Sequence, residues 1–91
     1  MNKASIVEDL AGKTGISKAE AERIVEGIFS GIIDEVKAGR EVSVAGFGIF
    51  QPKDRAAREA RNPRTGETVQ VPAMRVPKFK PAKAFKDAVK G

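Results

Sequence analysis

Arg58-Glu59-Ala60-Arg61-Asn62-Pro63-Arg64-Thr65-Gly66 holds three arginines and no large aliphatic side chain. Its centre, Asn62-Pro63-Arg64-Thr65-Gly66, is a strong turn signal. The cationic character extends both ways. Lys53, Arg55, Arg58, Arg61, Arg64, Arg75, Lys78 and Lys80 stand against only Asp54, Glu59 and Glu67. Val69, Val71 and Val76 resume a strand pattern after the turn. The two limbs are expected to pair as a long two-stranded ribbon, residues 53–76. Such a ribbon has no core of its own and should be mobile in water. The bland alternative is a disordered loop.

Before the ribbon, Val42 and Val44 alternate with Glu41 and Ser43, and Gly46-Phe47-Gly48 signals a turn into Ile49 and Phe50. The glycine pair lacks the spacing and the Lys-Ser/Thr of a phosphate loop, so a tight turn seating Phe47 is the reading. Further back, Ala21, Ile24, Val25, Ile28, Phe29, Ile32, Ile33 and Val36 keep a helical rhythm, stopped by Gly39. Gly27 and Gly31 within it mean either surface tolerance or close packing against another backbone. A first helix spans residues 3–13 and stops at Thr14-Gly15. Ser17 and Glu20 fit a capping box for the second. The chain ends in a third helix, with Pro81 expected in its first turn and Ala82, Phe85, Ala88 and Val89 on one face.

The chain of 91 residues reads as one α+β domain. Residues 1–39 form a helical hairpin base. Residues 40–81 form a three-stranded antiparallel sheet with the arm, and residues 82–91 the C-terminal helix. The apolar stripe of the second helix is too wide for one short helix to cover, so a stable fold is easier as an oligomer. The expected dimer core is Ile28, Phe29, Ile32, Val44, Phe47, Phe50, Phe79 and Phe85.

Formal charge is +5, unevenly spread. Residues 1–45 carry −2 and residues 46–91 carry +7. That asymmetry points to a polyanion. The chain has no Cys and no His, so thiol chemistry, the commonest acid-base group and the usual zinc ligands are absent. Glu22 and Glu26 share a helix face but make a poor metal site. No active site, metal site or cofactor is expected. The opening residues lack a secretory apolar core and no stretch is apolar enough to span a bilayer. The chain is expected to stay where it is made, with no membrane partner.

A two-stranded ribbon can enter a nucleic-acid groove while its arginines meet phosphates. Lys53 and Arg55 alternate correctly for one strip. Arg58, an odd step further, needs a twist or a bulge to join it, as does Arg61 from Arg58. Pro63 at the tip is either a simple turn former or a rigid wedge that opens a base step.

The whole chain resembles the bacterial HU and integration host factor family of DNA-bending proteins, HU most. The stretches that carry the resemblance are Gly46-Phe47-Gly48-Ile49-Phe50, residues 58–66 and Val76-Pro77-Lys78-Phe79-Lys80-Pro81. It implies an intertwined homodimer whose two arms embrace double-stranded DNA from the minor groove, bend and compact it, and intercalate Pro63. Bent, nicked or gapped duplex would be preferred, and the bacterial nucleoid in the cytoplasm would be the site of action. The implied arm contacts are Lys53, Arg55, Arg58, Arg61, Asn62, Pro63, Arg64 and Arg75. Those of the body are Lys3, Lys18, Lys78, Lys80, Lys83 and Lys86. Pro52 departs from the usual strand residue and should occupy an unpaired position or loosen the arm's root. The alternatives are a sequence-preferring bender of the integration host factor type, and an RNA-binding or interaction module.

Overall fold

The computed structural model describes residues 1–91. The elements run α1 (Lys3–Thr14), α2 (Lys18–Lys37), β1 (Val42–Val44), β2 (Gly48–Arg55), β3 (Arg58–Arg61), β4 (Thr68–Val71), β5 (Met74–Pro81) and α3 (Lys83–Lys90). The fold is α+β, as the sequence indicates. The chain divides into two compact units, Met1–Glu35 and Val36–Gly91. No helix is long and apolar enough to cross a membrane.

The first unit is a helical hairpin. Val7, Ala21 and Val25 are its buried residues, with Ile6, Leu10, Ala11 and Ile16 packed against them. Gly15 ends α1 in the left-handed region (φ 76°), its amide donating to the Ala11 carbonyl. The Ser17 hydroxyl takes the Glu20 amide at 3.2 Å, the cap expected from sequence. That is one half of the expected box; a complete capping box, not legible in the sequence, starts α1, where Asn2 Oδ1 accepts from the Ser5 amide and Ser5 Oγ from the Asn2 amide. Asparagine caps well, but Ser in place of Glu or Gln at the third position hides the motif. Half of the α2 stripe is exposed. Ile28 is 56% exposed and Ile33 64%, with Ile24 and Phe29 also exposed. A Cβ on Gly27 or Gly31 would meet open space, so neither glycine serves a close approach inside this chain.

In the second unit, β1, β2 and β5 form an antiparallel sheet in the order β1-β2-β5. The turn into β2 uses Gly46 at φ 78°, with the Phe47 amide bonded to the Val44 carbonyl. Phe47, Phe50, Phe79 and Phe85 gather into one cluster. Phe50 and Phe79, paired across the sheet, have ring centroids 4.8 Å apart, and Phe47 lies 5.1 Å from Phe85. Each such pair contributes about 0.5–1.5 kcal/mol beyond the area it buries. Phe47 and Phe79 nonetheless remain exposed on one side, as does Val44.

Pro81 corrects one expectation. It closes β5 opposite Gly48, and α3 begins at Lys83 with Ala82 as its N-cap. Proline suits either place, because each needs no amide donor.

The β2–β5 ladder runs from Gly48↔Pro81 to Arg55↔Met74. β3 and β4 then pair from Arg58↔Val71 to Arg61↔Thr68. The limbs therefore form a ribbon, not a disordered loop, but it is interrupted. Ala56 and Ala57 on one side and Pro72 and Ala73 on the other are unpaired, two against two, so no net bulge is inserted. Pro52 faces Pro77 directly. That pair has no amide donor, so it fits only a non-hydrogen-bonded position, where the missing donors point away from the partner strand.

Gly48 is buried beneath β5. A Cβ there would fall 2.6 Å from the Lys80 carbonyl oxygen and 2.6 Å from the Phe79 ring. Gly48→Ala is therefore expected to destabilise the protein by about 1–3 kcal/mol, as overpacking does. Urea unfolding of the two proteins checks this; an equal midpoint would mean that β5 moves aside freely.

Candidate nucleic-acid interface

The tip of the arm is held by its own hydrogen bonds. The Asn62 amide donates to the Glu67 carbonyl at 2.8 Å, and the Gly66 amide to the Asn62 carbonyl at 2.8 Å. Asn62 Oδ1 accepts from the Arg64 amide at 2.9 Å, bridging over Pro63. Thr65 Oγ1 accepts from the Glu67 amide at 3.3 Å, and Gly66 takes φ 74°. Asn62, Thr65 and Gly66 thus each have a local reason to occupy the tip. Asn62 is half-buried, and Pro63 and Arg64 are exposed. The turn presents a rigid apolar ring to solvent.

The arm cations Lys53, Arg55, Arg58, Arg61, Arg64 and Arg75 are all exposed, as are Lys3, Lys18, Lys78, Lys80, Lys83 and Lys86. They are not equally available. Lys3 Nζ lies 3.0 Å from Glu26 Oε1, and Lys18 Nζ 3.0 Å from Glu8 Oε1. Arg75 Nε lies 3.1 Å from Asp54 Oδ1, directly across the ribbon. Exposed pairs of this kind are worth about 0–1 kcal/mol, so they break readily for a better anion, at that small cost. Glu8, Glu26 and Asp54 are the residues that sequence reasoning missed. Only the helix hairpin and the strand register bring them to their partners.

Lys53 and Arg55 lie on one face of β2, as alternation requires. Lys83 and Lys86 share a face of α3 at i, i+3. Phe50 and Phe85, assigned to a dimer core from sequence, are half-buried within the aromatic cluster. Ile32 is half-buried, and Ile28 and Phe29 are exposed.

Residues 1–90 match the family model described as bacterial DNA-binding protein. The chain belongs to that family, the HU and integration host factor proteins. It is 50% identical over 90 residues to the SPbeta prophage-derived DNA-binding protein HU 2 of Bacillus subtilis, covering 99% of this chain and 98% of that one. It is 46% identical over 90 residues to the DNA-binding protein HU of Geobacillus stearothermophilus, covering 99% of this chain and all of that one. Among solved structures it is similar to the Anabaena HU–DNA cocrystal structure, with TM-score 0.89, 39% identity and coverage of 98% and 97% of the two chains. HU of Thermotoga maritima matches with TM-score 0.69 and 29% identity, over 98% of each chain. HU-family proteins are architectural and non-catalytic, in keeping with a chain that has neither Cys nor His.

Asn62→Ala removes one hydrogen bond from the HU-type tip, worth about 1 kcal/mol. The Arg64 amide should then exchange with solvent about fivefold faster. Asn62→Asp, which keeps the acceptor, should restore the parent rate. Nuclear magnetic resonance hydrogen exchange on the free protein reads both.

Proposed function

We propose that the protein is an architectural DNA-binding protein. Two copies associate, bind double-stranded DNA with little sequence preference, and bend it with their arms in the bacterial nucleoid. The observation that carries this reading is the tip: an exposed proline, fixed by Asn62, at the end of a ribbon bearing Lys53, Arg55, Arg58, Arg61 and Arg64. Likeness to an HU protein crystallised with DNA supports it.

The physical chemistry follows from those parts. The cations neutralise phosphates and release counterions, which supplies affinity without reading bases. Pro63 enters a base step from the minor groove; unstacking costs a few kcal/mol, offset by the contacts that a bend permits. Duplex already bent, nicked or gapped has part of that deformation in place and binds better. Lys78, Lys80, Lys83 and Lys86 extend the contact beyond the arm. Lys3 and Lys18 join it only by leaving their carboxylates. Arg75, paired with Asp54, holds the arm's root before it meets any phosphate.

The homodimer rests on exposed apolar surface. Ile24, Ile28, Phe29 and Ile33 on α2, and Val44, Phe47 and Phe79 in the second unit, are poorly covered by one chain. A like surface on a second copy is the simplest cover, by two-fold symmetry. The thermal midpoint should rise with protein concentration by mass action. A folded monomer at micromolar concentration in analytical ultracentrifugation would remove the dimer from the account.

Gel shifts with nicked duplex, intact duplex and duplex RNA of equal length test the main reading. Tightest binding is expected on the nicked duplex; equal binding of RNA favours a general polyanion binder. Pro63→Ala leaves every charge in place. It should keep most of the affinity for intact duplex while reducing the bend seen by fluorescence energy transfer between duplex ends. An undiminished bend at saturation would reduce Pro63 to a turn former.

Arg55→Ala and Arg58→Ala should each lower the slope of log K against log salt by about 1. Lys3→Ala should lower it by less, since Glu26 already neutralises that ammonium. Titrations across a range of salt concentrations compare the three.

A further inference from the structure

Hydrogen-bonded and non-hydrogen-bonded pairs alternate along an antiparallel ladder, and the two sets face opposite sides of the ribbon. Side chains approach most closely at the non-hydrogen-bonded pairs. These rules fix the phase of each half of the arm separately, and the two halves disagree.

At the root, the Ala82 amide donates to the Phe47 carbonyl at 2.9 Å, one step beyond Gly48↔Pro81. Odd-numbered residues of β2 therefore occupy hydrogen-bonded pairs. The even-numbered ones include Pro52↔Pro77, which has no donor to offer. They also include the close side-chain pairs Phe50–Phe79 and Asp54–Arg75. At the tip, the Asn62 amide donates to the Glu67 carbonyl, one step beyond Arg61↔Thr68. There the even-numbered residues of β3 occupy the hydrogen-bonded pairs. Glu59 and Gln70, opposite each other, make the close side-chain contact, with Gln70 Nε2 donating to Glu59 Oε1 at 3.1 Å. The register is continuous but the phase is inverted. The inversion falls within Ala56, Ala57, Pro72 and Ala73, the four unpaired residues.

Pro72 stands where the root's ladder next needs a donor. After Arg55↔Met74, the following hydrogen-bonded pair would set Ala57 against residue 72, and proline has no amide hydrogen. We propose that Pro72 is a positioning residue: its missing amide halts the root ladder and resets the phase, turning Arg58 onto the face of Lys53 and Arg55. The same reset sends Glu59 to the opposite face. In the unreset phase Arg58 would share a face with Asp54, and Glu59 would lie among Lys53 and Arg55. With the reset, one face of the arm between residues 53 and 60 carries those three cations and no carboxylate, while Arg61 passes to the other face. Asp54 and Glu59 lie on the other, bonded to Arg75 and Gln70. A strip of cations free of carboxylates is what a row of phosphates selects. The structural part stands on the ribbon alone; its purpose rests on the DNA-binding reading.

Pro72→Val supplies the absent amide. In antiparallel strands the closest Hα–Hα approaches mark non-hydrogen-bonded pairs, so magnetic resonance of the free protein reads the phase directly. The parent should show Glu59/Gln70 and Arg61/Thr68 contacts. The variant should exchange them for Arg58/Val71 and Ala60/Val69. Pro72→Ala, which restores the amide without a β-branched side chain, should give the same exchange. On DNA, Arg58→Ala should lower the salt slope by about 1 in the parent and by far less beside Pro72→Val. If both variants keep the Glu59/Gln70 contact, or Arg58→Ala acts equally in both backgrounds, Pro72 does not set the phase and the proposal fails. A parent that binds no DNA at all would instead overturn the functional reading, while the free-protein spectra would still decide the role of Pro72.

Discussion

The β2–β5 ladder is the interaction on which the second unit depends. It joins strands with the whole arm between them, and closing a loop of that length has an entropic cost that strand propensity alone does not offset. Two features at its base do. Gly48 lets the Lys80 backbone and the Phe79 ring approach to distances that any side chain would forbid. The four clustered phenylalanines then bind the turn, both strands and α3 together. Once the base is closed, the register is transmitted outward to the tip, and the base sets the facing of the arm side chains as far as Arg55↔Met74, beyond which the phase inverts.

What the sequence reveals is local. Helical periodicity places α1 and α2, and alternation with a glycine turn places β1 and β2. The Asn-Pro-Arg-Thr-Gly turn marks the tip, because these depend on neighbours within a few residues. Pro81 is misassigned because proline suits both a helix start and a strand end, and only register decides. Ser5 conceals a capping box for a similar reason, since its hydroxyl replaces the expected carboxylate. The cations of the candidate interface are legible as a group through the +7 charge of residues 46–91. Which are already paired is not, because Lys3 and Glu26, or Arg75 and Asp54, meet only through tertiary structure.

The first unit presents the complementary problem. Its buried set is only Val7, Ala21 and Val25, while Ile24, Ile28, Phe29 and Ile33 of the same α2 stripe are exposed. Marginal stability follows for a single copy, since a core of that size offsets little of the entropy of ordering two helices. The acidic balance of this half and the basic balance of the other divide the chain into a part suited to holding another protein surface and a part suited to holding a polyanion.

The prolines of β5 have a consequence for colloidal behaviour. β5 is an edge strand of the three-stranded sheet, and an edge normally offers a template for further strands. The residues whose amides point outward from it are Arg75, Pro77, Phe79 and Pro81, and two of those four have no hydrogen to give. Lys78 and Lys80 place charge along the same strand. An incoming strand finds every second donor missing. A chain with this much uncovered apolar surface thereby favours closed association through side chains over open-ended growth of a fibre.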